Sequence, residues 1–170
     1  DKFIKNIKSK DDILFSMKLD GVRCWAVIDD DEIYYLSRNN KKFPNFSIFD
    51  EYLRKIVEEN KLKTPFIFDG EVTSSDVKFS KIMTQVRRLK DIDASIFRFH
   101  IFDVPMINGS FENRYKILEK LMKDYPKTPY KINKNSINKL YLVPQKKLKD
   151  VKNIDFTNIK AGLKMLMDRY

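Results

Sequence analysis

A chain of 170 residues with 42% hydrophobic and 13% aromatic residues, but only 4 glycines and 6 prolines, holds enough apolar material for one domain with a buried core, which excludes a disordered or linker-rich protein. Lys and Arg outnumber Asp and Glu by 34 to 24, and the net charge of +10 predicts attraction to polyanions such as nucleic acid or nucleotide phosphates. A single cysteine excludes an internal disulfide and points to a reducing cytosol, a single histidine excludes a multi-histidine metal site, and neither a membrane-spanning run nor a signal-peptide core at Asp1-Lys2-Phe3-Ile4-Lys5 is expected.

In chain order, Phe3 to Ile7 reads as a short amphipathic helix or a loop. Two strands follow, about Leu14 to Lys18 and Arg23 to Ile28, expected to meet at Gly21 in a turn that leaves Lys18 and Arg23 facing one cavity. A lysine at the mouth of an apolar pocket suits an amine nucleophile, and a nearby guanidinium can hold an anion by paired hydrogen bonds. The plainer alternative is a hairpin with a glycine turn, an exposed lysine and a surface salt bridge. Cys24 lies in the apolar strand and reads as structural.

Asp29 to Glu32 is too acidic to be buried and reads as a turn, with a cation site as the rarer alternative; Ile33 to Leu36 is the third strand. A basic, amide-rich loop runs on to Pro44. Phe46 to Asn60 carries Ile48, Phe49, Tyr52, Leu53, Ile56 and Val57 at helical spacing, a stripe for packing. Phe66 to Val72 is an apolar strand that ends in Asp69-Gly70-Glu71. A carboxylate there is costly unless something pairs with it, so Glu71 is expected to face the same cavity as Lys18.

Asp76 to Lys90 reads as a second amphipathic helix, whose Lys81, Arg87 and Arg88 are either a solvated face or a track for a DNA backbone. Ile96 to Val104 alternates as a strand, with His100 one of its residues. Asn113 to Tyr125 is a third helix that buries Tyr115, Ile117, Leu118, Leu121 and Met122. Lys127 to Lys139 is a loop, Leu140 to Pro144 a strand, and Asp155 to Tyr170 a helix, or a helix end followed by a strand.

Lys18-Leu19-Asp20-Gly21-Val22-Arg23 reads K-x-D-G-x-R and resembles the first motif of the covalent nucleotidyltransferases, the superfamily of ATP-dependent DNA ligases, RNA ligases and mRNA capping enzymes. Chance produces that pattern in roughly 10⁻³ of chains this long. Arg38 after Ser37 is similar to the family's next motif, Asp69-Gly70-Glu71 to the third, and Phe102-Asp103-Val104 to the one that follows. Met83 to Arg88 is similar to a run in phage-type ligases. The order and separation of these motifs carry the resemblance, which covers Leu14 to Val104. Beyond it the sequence departs: the glutamate of the fourth motif falls on Ala161, and the two lysines of the fifth have no counterpart.

The resemblance implies an α+β fold, an ATP-grasp-like nucleotidyltransferase (adenylation) domain of mainly antiparallel sheets flanked by helices. It would occupy residues 1–170, be truncated or degenerate at its C-terminus, and lack an OB-fold domain. It further implies an ATP-dependent DNA ligase of phage or viral type. Lys18 would be the nucleophile that forms lysyl-AMP; Met17, Arg23, Arg38, Glu71 and Phe102 would bind the nucleotide. Removing the proton from an ordinary lysine at pH 7 costs about 4.6 kcal/mol, which burial, Arg23 and a divalent cation would reduce. Arg23 and Arg38 would hold phosphate charge, Glu71 the ribose or Mg2+, and Asp20 would position Lys18. Phe102 would stack on the base, worth about 1–3 kcal/mol. The expected cofactors are ATP and Mg2+, and the expected partner is nicked duplex DNA, bound by a cytoplasmic monomer or by a viral protein acting in its host cell. An RNA ligase or a GTP-dependent capping enzyme shares the first motif, and Ala161 favours a third alternative, a non-catalytic relic that binds nucleic acid.

Overall fold

The computed structural model describes residues 13–74, 82, 84–88, 93–129, 136–147 and 150. They fall into two compact units, one spanning Leu19–Val143 and the other made of the described residues on either side of it. The smaller unit contains two short antiparallel strands, β1 (Leu14–Phe15) and β7 (Lys146–Lys147), with Leu14 opposite Lys147 and Phe15 opposite Lys146.

The larger unit is built on a five-stranded sheet. Its strands are β2 (Val22–Ile28), β3 (Ile33–Ser37), β4 (Phe66–Ser74), β5 (Phe97–Asp103) and β6 (Leu140–Leu142), in the spatial order β3-β2-β4-β5-β6. Neighbours are antiparallel except β5 and β6, which run parallel after helix α2 (Phe111–Leu121). The mainly antiparallel α+β architecture is the one expected from the sequence.

Period-two alternation gives the sheet its two faces. Val22, Cys24, Ala26 and Ile28 of β2 are buried on one side with Phe68, Val72, Phe99 and Ile101 of the next strands, whereas Arg23 and Trp25 point to the other. Helix α1 (Asp50–Glu59) covers the apolar side with Leu53, Ile56 and Val57. Aromatic rings fill the gap: Phe46 meets Phe97 edge-on with centroids 5.3 Å apart, and Phe49 tilts against Phe99 at 5.6 Å. Each fully buried Phe stabilises the fold by about 1.5–3 kcal/mol.

Several expectations change in the folded chain. No hairpin joins the two strands around Gly21, because β3 and β4 occupy both edges of β2 and leave no edge for β1, which is only two residues long. Gly21 is needed for another reason: a Cβ there would lie 2.4 Å from the Val72 carbonyl oxygen and 2.9 Å from Glu71 Cγ, so only glycine lets the chain close on β4. Gly70 is equally confined, since a Cβ there would lie 2.4 Å from the His100 carbonyl oxygen.

The expected helix 46–60 opens with a 3-10 turn at Ser47–Phe49 before α1. Strand β4 runs on past Val72 to Ser74, and β5 starts one residue late because Ile96 belongs to a 3-10 turn. The third helix starts two residues early, at Phe111, since the Ser110 hydroxyl accepts the Asn113 N–H at 3.3 Å. It ends at Leu121, four residues before Tyr125, whose helical conformation the following Pro126 disfavours. Met83, Ala161 and the segments Phe3 to Ile7 and Asp155 to Tyr170 lie outside the described residues. So does most of the expected helix 76–90; within it the Val86 N–H donates to the Ile82 carbonyl at 2.9 Å.

Candidate active-site cleft

Strand β2 sends Arg23 to the face of the sheet away from α1, directly opposite Glu71 of β4 in register. Asp69, two residues along β4, therefore shares that face. The guanidinium takes the closer geometry: Nε donates to Asp69 Oδ1 at 3.1 Å and Nη2 to Oδ2 at 2.6 Å. This fork-to-carboxylate match offsets part of the cost of holding Asp69 at 5% side-chain exposure, while Arg23 keeps 41% of its side chain open. The Asp69 hydrogen bonds, followed by the charges of Asp69, Glu71 and Asp103, hold the Arg23 guanidinium further above its ordinary pKa.

Glu71 Oε1 accepts the Gly21 N–H at 3.2 Å and so ties the D-G turn of the first motif to β4. Phe102 owes its place to a shift in register. Asp69 faces Asp103 and Gly70 faces Ile101, so Phe102 is the extra residue of a bulge. Its ring lies 5.7 Å from the Arg23 guanidinium carbon. Asp103 beside it receives a second forked pair, Arg114 Nε to Oδ1 at 2.8 Å and Nη2 to Oδ2 at 2.9 Å, which locks α2 to the end of β5.

An open cleft of about 1070 Å³ runs along this region, with Arg23, Arg38, Lys41, Lys42 and Arg87 on its walls against the carboxylates of Glu32 and Glu71. Arg38 stands on the turn after β3. Asn40 makes that turn possible by adopting a positive φ of 59°, which asparagine tolerates, and its N–H donates to the Ser37 carbonyl at 2.9 Å. Lys42 is held over the Tyr34 ring at 4.7 Å and reaches Glu32 at 3.7 Å. A cleft whose cations outnumber its carboxylates, within low-dielectric walls, concentrates anions.

Of the residues expected at the site, Arg23, Arg38 and Glu71 line this cleft, and Phe102 lies against Arg23 without lining it. Met17 and Lys18 end the first segment of the smaller unit, Lys18 exposed, with Leu19 and Asp20 leading to Gly21. His100 is a buried strand residue, as expected; Thr73 and Thr128 hydroxyls sit 2.9 and 3.0 Å from its ring nitrogens. Sequence reasoning named Asp69 and Asp103 only as members of motifs, without a role, and did not name Arg114. A signal for Asp69 existed, since it lies two residues from Glu71 and so on the same face of a strand. Among the described residues no three His, Cys, Asp or Glu side chains converge as a metal site.

A family model described as ATP dependent DNA ligase domain matches residues 1–158. The structure described as Pmar-Lig_Pre is 22% identical with a TM-score of 0.63, over 91% of this chain and 34% of that one. The ATP-dependent DNA ligase from bacteriophage T7 in complex with ATP is 16% identical with a TM-score of 0.57, over 90% and 51%. The Chlorella virus DNA ligase-adenylate is 18% identical with a TM-score of 0.52, over 82% and 47%. These structures share the fold, and the chain spans between a third and about half of their lengths. No curated protein matches the sequence.

Proposed function

Since the chain belongs to the family of ATP-dependent DNA ligase domains, we propose that it is the adenylation domain of a ligase that seals nicks in duplex DNA. The observation that carries this reading is the meeting of Arg23, Arg38 and Glu71, from three separate segments, on one cation-rich cleft.

The Lys18 amine attacks the α-phosphorus of ATP. A P–N bond forms, the bond to the β-phosphate oxygen breaks, pyrophosphate leaves with the electron pair, and the amine proton passes to solvent. The 5′-phosphate at a nick then takes AMP from the lysine, and the 3′-hydroxyl displaces AMP to join the strand. Arg23, oriented by Asp69, and Arg38 neutralise phosphate charge, which is most valuable where charge builds up in the transition state. Phe102 stacks on the base, Met17 packs against the nucleotide, and Asp20 positions Lys18.

ATP and Mg2+ are the cofactors of this family. Glu71 is one carboxylate on the cleft wall, which fits an ion held chiefly by substrate phosphates and water, and that ion would neutralise the phosphates. The acceptor is nicked duplex DNA, bound by a monomer in the cytoplasm or, for a viral protein, in the host cell. Among the described residues no helix is long and apolar enough to cross a membrane.

Intact-protein mass spectrometry of the full chain tests the reading. Incubation with ATP and Mg2+ is expected to add one adenylyl group, and Lys18→Ala is expected to abolish the adduct. A folded chain that gains nothing from ATP overturns the proposal, and an adduct from GTP alone would move the chain to the capping enzymes.

A further inference from the structure

Arg87 lies on the cleft wall although it is far in sequence from Arg38, Lys41 and Lys42. One side chain accounts for its place. The Asn45 amide nitrogen donates to the Arg88 carbonyl at 2.6 Å and approaches the Gln85 and Val86 carbonyls at 3.4 Å each, so it caps the C-terminal end of the short helical turn that contains Arg87. Carbonyls at a helix end need such a donor. The Arg88 N–H donates to the Gln85 carbonyl at 3.2 Å and closes the same turn. Asn45 itself follows Pro44, which lines the cleft just after Lys41 and Lys42. The amide therefore joins the two basic segments of one wall.

The cations of that wall are poorly neutralised from within. Among the described residues Lys42 meets Glu32 at 3.7 Å, and no carboxylate forms an ion pair with Arg38, Lys41 or Arg87. We propose that Asn45 is a positioning residue that fixes the turn bearing Arg87 on the cleft that Lys41 and Lys42 also line, with Arg87 as a contact for the phosphodiester backbone of the bound strand. The proposal rests on the ligase reading and extends it to cleft residues other than Arg23 and Glu71. A side chain carried on a backbone turn that is held in place loses less freedom on binding than one on a loose loop, so the amide acts on affinity through Arg87 without touching the strand.

The test is equilibrium binding of the full chain to a nicked duplex with a 5′-phosphate, titrated at several salt concentrations. Arg87→Ala is expected to weaken binding about 3–10-fold at 0.1 M salt and to reduce the slope of log affinity against log salt by about one. Asn45→Ala and the equally sized Asn45→Asp, which lacks the donor, are expected to reproduce both changes. In the Asn45→Ala/Arg87→Ala chain the losses are expected not to add, because both substitutions remove the same contact. Additive losses, or an unchanged salt slope in the Asn45 variants, would overturn the proposal. So would loss of the fold in both Asn45 variants, which would make the amide a part of the scaffold. A parent chain that neither binds the nick nor takes up AMP would sink the ligase reading instead.

Discussion

Arg23 sits opposite Glu71 in register yet reaches diagonally to Asp69, so one carboxylate orients the guanidinium while the other stays at the cleft and holds the Gly21 N–H. The two partners of the Arg23–Asp69 pair are unequally buried, which predicts an order of damage. Arg23→Ala leaves the enclosed Asp69 charge uncompensated and is expected to cost about 3 kcal/mol. Asp69→Asn leaves the half-open Arg23 to water and is expected to cost about 1–2 kcal/mol. Urea unfolding of both variants checks this; an equal or reversed order would mean that Arg23 does not hold Asp69 in solution. Asp69 could have been paired with Glu71 by strand period alone. That Asp69 rather than Glu71 takes the fork could not, because the choice depends on a diagonal distance across two strands.

Secondary elements were the most legible part of the chain, and their ends the least. The helical stripe around Leu53, Ile56 and Val57 survives folding, and so does the strand β5, although Phe97 to Ile101 are all buried and its two faces do not alternate in exposure. Helix α2 shows where a boundary was missed: its apolar pattern suggests a start at Asn113, but Ser110, extended at φ −66° and ψ 159°, begins it three residues earlier as the cap. Ser110→Ala is expected to cost about 1 kcal/mol, and Ser110→Asp to keep most of the stability, since aspartate also accepts the Asn113 N–H. Thermal unfolding of the two variants separates a capping role from simple exposure: no loss in the alanine variant would remove the cap from the account. α2 also carries Arg114 to Asp103, so fraying at this end would loosen the strand that bears Phe102.

At the scale of the whole molecule, His100 is a buried polar group that bridges several elements. It lies on β5, between Thr73 of β4 and Thr128 of the segment after α2, with the Tyr141 ring of β6 stacked on it at 5.0 Å. Burial, and next the charge of Arg98, lower its pKa to about 3 from an ordinary 6.5. Below pH 6.5 the unfolded chain binds a proton that the folded chain refuses. Stability from this residue is therefore complete above pH 6.5 and is lost as the pH falls toward 3, at up to about 1.4 kcal/mol per pH unit. By pH 5, above the main carboxylate range, about 2 kcal/mol should be gone. Urea unfolding at pH 7 and pH 5 measures it, and His100→Gln is expected to flatten the difference; an unchanged difference in that variant would assign it to other groups. The sequence by itself determined the kinds of elements, the order of the motif residues and the cationic balance, because residue chemistry and short-range periodicity are local properties. Only the tertiary structure decided that β1 and β2 lie in different sheets, that Asp69 takes Arg23 and that Asn45 holds the turn bearing Arg87. Each of these depends on which strand edges remain free and on the register between segments tens of residues apart, and neither leaves a periodic mark in the chain.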